Sequence, residues 1–127
     1  MSHRILIVDD DQDILASLSL FLGRQLGYQV ETAAGGQEAL DLALQHPFDL
    51  VILDVRMAGL SGPETWMRLK RLLPDCEVIF LTADEEFENT MDFMRFSLPS
   101  ERVLVKPLDD NSRLTRLIIG ILGPPTP

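Results

Sequence analysis

The chain has 127 residues, 46% of them hydrophobic, and a formal net charge of −9 at pH 7. This length and composition predict one folded domain with a full hydrophobic core and exclude an intrinsically disordered chain. The negative charge argues against direct contact with a nucleic acid backbone or an anionic membrane, and no apolar run approaches the roughly 18 residues of a membrane span.

The cysteine content and the first residues of the chain indicate the cellular compartment of the protein. Cys76 is the single cysteine, so no disulfide forms within the chain, and no cysteine–histidine cluster has the spacing of a zinc site. Met1 to Arg4 leads directly into an apolar strand, without the core of a signal peptide. We therefore expect a cytoplasmic protein.

Strands and helices alternate along the first half of the chain. Apolar runs predict strands over 4–8, 28–33 and 49–54. A helix follows the first strand, reaches Leu26 and stops at Gly27, with Asp11 or Asp13 as its cap or first-turn acid. The next helix ends at His46-Pro47, and its buried face is predicted to hold Ala39, Leu40, Ala43 and Leu44.

The second half of the chain continues the alternation. Pro63 suits the first turn of a helix that continues to Pro74. Strands are predicted over 77–81 and 102–105, with a helix from Phe87 to Phe96 between them. The last helix is predicted to begin at Asn111 or Ser112 and to continue to about Leu122. Residues 123–127 are predicted to form a proline-rich tail or the start of a linker.

This alternation predicts an α/β fold with a doubly wound parallel sheet. Right-handed crossovers place the carboxyl ends of all strands at one edge, where such folds bind their ligands. Five polar residues end these strands or directly follow them, namely Asp9, Asp10, Asp54, Thr82 and Lys106. We therefore expect their side chains to meet in one crevice.

The residue types in this crevice indicate phosphoryl chemistry. Converging carboxylates repel one another unless a cation joins them, and hard oxygen ligands with open positions suit Mg²⁺. Lys106 would supply a positive charge to a phosphoryl group, and Thr82 would supply a hydroxyl donor. A carboxylate such as Asp54 can itself be the nucleophile and become an aspartyl phosphate.

Four motifs in this order resemble the receiver domain of bacterial response regulators. They are Ile5–Asp11, Asp54–Glu64, Leu81-Thr82-Ala83 and Val105-Lys106-Pro107. Any one of them is weak evidence, but their order and their places at strand ends are specific. The resemblance extends from Arg4 to about Leu122. It implies a flavodoxin-like fold with five strands in the order 2-1-3-4-5, and it makes residues 1–122 the receiver domain.

The resemblance also implies an acceptor and a metal site. Asp54 would accept a phosphoryl group from the phosphohistidine of a histidine kinase. Asp10 and Asp54 would bind Mg²⁺ directly, and Asp9 would bind it through water. The backbone carbonyl of Arg56 would complete the protein's ligands.

Further implied roles concern the phosphoryl oxygens and the partners. Thr82 and the backbone N–H of Ala83 would hydrogen-bond these oxygens, Lys106 would pair with another, and the Lys106-Pro107 peptide bond would be cis. The domain would be a signalling domain rather than an enzyme, one that promotes its own phosphorylation and dephosphorylation. Its partners would be a sensor histidine kinase or phosphotransfer protein, and an output domain beyond residue 127 or a separate effector.

Departures from the family pattern concern the switch rather than the acceptor. Ala58 stands where proline is usual, and Val103 stands where the family usually has an aromatic switch residue. We expect the switching surface to lie in the 87–122 half, with a homodimer through residues 87–122 as a further expectation. Phe93, Met94 and Phe96 suggest such a surface, because a helix with a single buried face does not require so many apolar residues.

Other readings of the acidic site fit less well. A haloacid-dehalogenase-type phosphatase usually has a second aspartate where this chain has Arg56, and the chain has no room for its substrate cap. A flavin-binding protein would place its phosphate at Asp9–Asp11, which would repel it. A degenerate receiver that binds proteins without phosphorylation remains the alternative, because Val103 favours it while the acids, Thr82 and Lys106 disfavour it.

Overall fold

A computed structural model of the chain describes residues 3–108 and 110–125. Five parallel strands form one sheet in the order β2-β1-β3-β4-β5. Their bounds are Arg4–Val8 for β1, Gln29–Ala33 for β2, Leu50–Leu53 for β3, Glu77–Thr82 for β4 and Val103–Val105 for β5. The predicted fold class and strand order are therefore confirmed, with strand ends that differ by about one residue.

Helices cover both faces of the sheet. They are α1 (Gln12–Ser19), α2 (Gly36–Gln45), α3 (Gly62–Leu72), α4 (Met91–Met94) and α5 (Ser112–Leu122). One core cluster joins one face of the sheet to α2, α3 and α4, and a second joins the other face to α1 and α5. All four residues of β3 are buried, as expected for a central strand covered on both faces. None of the helices in the described part of the chain is long and apolar enough to span a membrane.

Side-chain caps begin the helices next to the carboxyl edge. Asp11 is the N-cap of α1, where its carboxylate accepts a hydrogen bond from the Asp13 N–H at 2.9 Å. Ser61 caps α3 by accepting from the Glu64 N–H at 3.2 Å, and Pro63 occupies the first turn as predicted. These caps fix where each helix starts relative to the strand end before it.

The predicted helix from Phe87 to Phe96 is wrong as a continuous element. A 3₁₀ turn over Phe87–Asn89 is followed by the four-residue α4, because Thr90 interrupts the helix in an extended conformation. Its hydroxyl donates to the Phe87 carbonyl at 2.6 Å and accepts from the Phe93 N–H at 3.3 Å. Threonine side chains compete with helical backbone bonds in this way.

Burial in this segment also differs from the expectation. Phe93 is buried, and Phe96 packs on Phe80 with ring centroids 6.0 Å apart, so neither belongs to an exposed patch. Met94, the third residue of that expectation, is 55% exposed, and Met91 is exposed as well, at 80%. Leu44, predicted on the buried face of α2, is 71% exposed because it lies beyond the stripe that contacts the sheet.

The first helix does not continue as an α-helix to Leu26. After Ser19 the chain forms a π-helix over Leu20–Gln25, in which the Leu26 N–H donates to the Phe21 carbonyl at 3.1 Å. Gly23 lowers the intrinsic stability of an α-helix here. At the other end of the chain α5 ends at Gly123, whose φ is +84°. The boundary between a 1–122 domain and a 123–127 tail stays a prediction, and residues 126 and 127 lie outside the described residues.

Candidate functional site

Four strand ends deliver the predicted site residues to one edge of the sheet. Asp9 follows β1, Asp54 follows β3, Thr82 ends β4 and Lys106 follows β5. Backbone bonds continue the sheet into these positions: the Asp9 N–H donates to the Ala33 carbonyl at 3.1 Å, and the Lys106 N–H donates to the Thr82 carbonyl at 2.8 Å. The site therefore rests on the rigid sheet rather than on free loops. The Lys106-Pro107 peptide bond is cis.

Three carboxylates meet at this edge. Asp9, Asp10 and Asp54 each offer an oxygen atom, and these atoms lie within 4.8 Å of one another. Asp9 and Asp54 are 2% and 7% exposed, whereas Asp10 faces solvent. A cluster of hard oxygen ligands with one side open to water suits a divalent cation such as Mg²⁺. The donor set of this chain therefore fits the predicted metal.

Lys106 provides the positive charge of the cluster. Its Nζ atom lies 2.7 Å from Asp9 Oδ2 and 3.5 Å from Asp54 Oδ2. Burial lowers the pKa of Lys106, but the hydrogen bond to Asp9 and the charge of Asp54 outweigh burial, so the pKa is raised overall. The side chain is thus an ammonium ion at neutral pH, close to both buried carboxylates.

Asp54 is held in one orientation by the backbone. The Val55 N–H donates to Asp54 Oδ1 at 2.8 Å, and the Asp54 N–H donates to the Val8 carbonyl at 3.0 Å. Burial raises the pKa of Asp54, and the negative charge of Asp9 raises it further. Lys106 and the Val55 N–H act in the opposite direction, but the net effect is a raised pKa.

An open cavity of about 540 Å³ lies beside Asp54. It is lined by Asp54, Arg56, Thr82, Ala83, Asp84, Glu85, Glu86 and Lys106. Thr82 is buried, and its hydroxyl oxygen accepts a hydrogen bond from the Asp84 N–H at 3.1 Å. This hydroxyl keeps a proton to donate into the cavity. Five of the predicted site residues, Asp54, Arg56, Thr82, Ala83 and Lys106, therefore border one space, while Asp9 and Asp10 reach the site through the carboxylate cluster.

Two further features lie beside the acceptor, and the close approach of Gly62 was not predicted. The Arg56 guanidinium bonds Asp84 Oδ2 at 2.9 Å, so the positions two after Asp54 and two after Thr82 form an ion pair beside the cavity. Gly62 begins α3 directly behind the acceptor, and its N–H donates to the Val55 carbonyl at 2.8 Å. A Cβ atom at Gly62 would overlap the Asp54 carbonyl oxygen, so the backbone of α3 approaches the acceptor as closely as glycine allows. The Gly62-Pro63 pair was the only sequence signal for this approach.

Val103 belongs to the buried core of the protein. It is buried next to Phe80 in the pairing of β4 with β5. Phe80 contacts Phe87, Phe93 and Phe96 with ring centroids 5.0 to 6.3 Å apart. This aromatic cluster lies under the segment that follows Thr82.

Comparison with protein-family models gives one match, the response regulator receiver domain, over residues 5–118. The chain belongs to this family. The receiver domain is a signalling domain of two-component systems, and the acidic cluster of this chain lies at the phosphorylation site of the family.

Two curated relatives match this chain over only a part of their own length. It is 38% identical to the transcriptional regulatory protein ZraR of Escherichia coli over 112 residues, which are 87% of this chain and 25% of ZraR. It is 36% identical over 108 residues to the alkaline phosphatase synthesis transcriptional regulatory protein PhoP of Bacillus subtilis, covering 84% of this chain and 43% of PhoP. The receiver domain thus spans between a quarter and less than half of these relatives.

Solved structures agree with the fold. The chemotaxis protein CheY4 of Vibrio cholerae superposes with a TM-score of 0.84 at 29% identity, covering 96% of this chain and all of CheY4. The response regulator TrrA of Thermotoga maritima, solved in complex with Mg²⁺ and BeF, superposes with a TM-score of 0.81 at 30% identity, covering 94% of this chain and 99% of TrrA.

Proposed function

We propose that Asp54 accepts a phosphoryl group from the phosphohistidine of a sensor histidine kinase or a phosphotransfer protein. The observation that supports this most is the convergence of Asp54, Thr82 and Lys106 from three strands onto one open cavity. A nucleophilic carboxylate, a hydroxyl donor and an ammonium ion in one place are the groups that an aspartyl phosphate requires.

In this reaction an oxygen atom of Asp54 forms a bond to phosphorus while the bond from phosphorus to the imidazole nitrogen breaks. The electron pair of the broken bond remains on the imidazole. The Val55 N–H holds the carboxylate in position, so little reorientation is needed before attack. Lys106 and the Thr82 hydroxyl would neutralise and hydrogen-bond the phosphoryl oxygens, and the Ala83 N–H would donate to the same group.

Asp9, Asp10, Asp54 and the Arg56 backbone carbonyl would hold Mg²⁺. When bound, this ion would neutralise charge that builds up between the acceptor and the phosphoryl oxygens. A solved relative, TrrA, contains Mg²⁺ with BeF, which supports the same metal here. Lys106 lies 2.7 Å from Asp9, so the chain's own cation contacts one of the carboxylates that would hold the metal.

The wider role follows from the family. Phosphorylation at Asp54 would shift an equilibrium between two forms of the 87–122 half, which would contact an output domain beyond residue 127 or a separate effector. We place the protein in the cytoplasm, with no direct nucleic acid contact by this domain, which agrees with its net charge of −9. Homodimerisation through residues 87–122 is part of this proposal.

The test is the intact mass of the protein after incubation with acetyl phosphate, with and without Mg²⁺. We expect a Mg²⁺-dependent gain of one phosphoryl group, which Asp54→Asn abolishes and Asp41→Asn, an exposed change on α2, retains. If the Asp41 variant also gained no phosphoryl group, the loss would reflect general damage to the protein rather than removal of the acceptor.

A phosphorylation-independent binding module is the second candidate, because Val103 stands where the family places an aromatic switch residue. If neither acetyl phosphate nor beryllofluoride binds a folded protein in the presence of Mg²⁺, the phosphoacceptor proposal is wrong and this second function takes its place.

A further inference from the structure

The loop between Asp54 and α3 carries the backbone carbonyl of Arg56, one of the proposed Mg²⁺ ligands. The Val55 carbonyl accepts a hydrogen bond from the Gly62 N–H at 2.8 Å, which closes this loop at its base. Among the described residues, no backbone hydrogen bond outside the helices and strands involves residues 56–60. The shape of this part of the loop therefore depends on the packing of its side chains.

Two apolar side chains attach the loop to the body of the protein. Met57 and Leu60 are partly buried and pack against the core cluster that joins the sheet to α2, α3 and α4. Gly59, directly before Leu60, has a φ of +81°, a conformation that favours glycine. The loop thus consists of a glycine turn between two apolar contacts, and Leu60 is the contact next to α3.

Leu60 packs on the bare backbone of Gly36, the first residue of α2. A Cβ atom at Gly36 would lie 2.8 Å from Leu60 Cβ and 3.4 Å from Leu60 Cδ1, and it would overlap the hydroxyl oxygen of Thr65. Thr65 is fully buried in α3, and its hydroxyl donates to the Ser61 carbonyl at 2.8 Å. A single glycine therefore contacts both the end of the loop and the first turns of α3.

The start of α2 is itself fixed to the carboxyl edge of the sheet. Two residues separate β2 from α2. The Ala33 carbonyl at the end of β2 accepts a hydrogen bond from the Asp9 N–H at 3.1 Å, and the Ala34 N–H donates to Glu38 Oε2, in the first turn of α2, at 2.8 Å. Gly36 is thus held close to the strand end that Asp9 follows.

We propose that Leu60, seated on Gly36, is a positioning residue that keeps the loop in the shape that presents the Arg56 carbonyl to Mg²⁺. A loop that is ordered before the metal arrives binds it more tightly, because less conformational entropy is lost on binding. The inference rests on the proposed metal site and adds the residues that hold one of its ligands in place. A leucine that served only the core would contribute to stability and leave the Mg²⁺ affinity of the folded protein unchanged.

Leu60→Ala tests this role in the full chain. Mg²⁺ is titrated at a temperature at which every variant is folded, and binding is followed by amide chemical shifts. We expect about tenfold weaker Mg²⁺ binding, the lower end of the usual effect of residues that support metal ligands. Leu60→Met keeps an apolar side chain of similar volume and should retain nearly the affinity of the wild type.

The matched control is Leu73→Ala, at the end of α3. Leu73 is another partly buried leucine that packs against the same core cluster. Its removal should lower stability by an amount comparable to Leu60→Ala but leave Mg²⁺ affinity within about twofold of the wild type.

Gly36→Ala approaches the same contact from the side of α2. The new Cβ should displace Leu60, shift the amide signals of residues 56–60 in the metal-free protein and weaken Mg²⁺ binding. Gly35→Ala, where nothing lies within 4 Å, should do neither. Because Gly36→Ala and Leu60→Ala disturb one contact, the loss of affinity in the double variant should be smaller than the product of the two single losses.

Equal Mg²⁺ affinity of the wild type and Leu60→Ala, or an equal loss in Leu73→Ala, would overturn the positioning role and leave the metal site intact. Shifts in Gly36→Ala that stay within α2 would also overturn it, because the overlap would then be relieved without moving the loop. A wild type that binds no Mg²⁺ would instead overturn the metal site, and this inference with it.

Discussion

Lys106→Met tests the electrostatics of the site most directly. The ammonium lies 2.7 Å from a carboxylate oxygen of Asp9 and 3.5 Å from one of Asp54, and both acids are buried. At an effective dielectric constant of about 20 these distances correspond to attractions of roughly 6 and 5 kcal/mol before the cost of removing the lysine from water. Removing one partner of a buried pair typically costs about 3–5 kcal/mol, so we expect the free energy of unfolding to fall by about 3 kcal/mol in EDTA.

The loss should depend on pH in a defined direction. The pKa of Asp54 is already raised in the folded protein by burial and by Asp9, and removing the lysine raises it further. A folded-state pKa above the unfolded value means that the folded form binds more protons, so stability falls as pH rises through that interval. Urea unfolding of the variant should therefore give a larger loss at pH 7.5 than at pH 5. Mg²⁺ should restore more stability to the variant than to the wild type.

The matched control is Arg113→Met, which removes one positive charge from an exposed position of α5. It should change stability by less than about 0.5 kcal/mol. If Lys106→Met is equally mild in EDTA, or if its cost is the same at pH 5 and pH 7.5, then the lysine does not compensate the buried carboxylates and the electrostatic account of the site is wrong.

Two further predictions concern the backbone behind the acceptor and the buried thiol. Gly62→Ala should lower the free energy of unfolding by about 2 kcal/mol and slow phosphorylation of Asp54 by acetyl phosphate, because the new Cβ would come within 2.8 Å of Val55 Cα. Gly35→Ala, where nothing lies within 4 Å, is its control, and equal effects of the two would contradict the packing argument. Burial raises the pKa of Cys76 to about 12, so a thiol reagent at pH 8 should label the unfolded protein quickly and the folded protein only through unfolding. Above pH 9 the thiol ionises more readily in the unfolded state, so this residue lowers stability as pH rises towards 12. Labelling of the native protein at the rate of a free thiol would show that Cys76 is not enclosed.

Two patterns in the sequence made much of the structure predictable. They are the alternation of strands with helices and the polar residues at the ends of the strands. Short apolar runs closed by Asp9, Asp54 and Lys106 give the strands, and a parallel sheet then brings these residues together without further information. The pairing of Lys106 with Asp9 at the shorter distance, rather than with Asp54, depends on side-chain placement that no spacing reveals.

The secondary structure from Phe87 to Phe96 was harder to predict, because two local tendencies conflict there. Its apolar residues recur at helical spacing, but the Thr90 hydroxyl bonds the backbone on both sides and divides the helix. The division turns Phe87 and Phe93 towards Phe80 and leaves Met91 and Met94 outside. One capping residue therefore decides which apolar side chains are core and which are surface.

The Lys106 ammonium lies closer to Asp9 than to Asp54. This difference bears on how the site would respond to phosphorylation. A phosphoryl group on Asp54 would place more negative charge near the lysine than the carboxylate does, and it would compete with Asp9 for the ammonium. If Lys106 left Asp9, that buried carboxylate would lose its cation, which is costly unless a metal ion held by the same acid compensates. Phosphoryl binding by Lys106 and metal binding by Asp9 should thus favour each other. The 2.7 Å contact between the two residues is therefore the one that we expect phosphorylation to weaken.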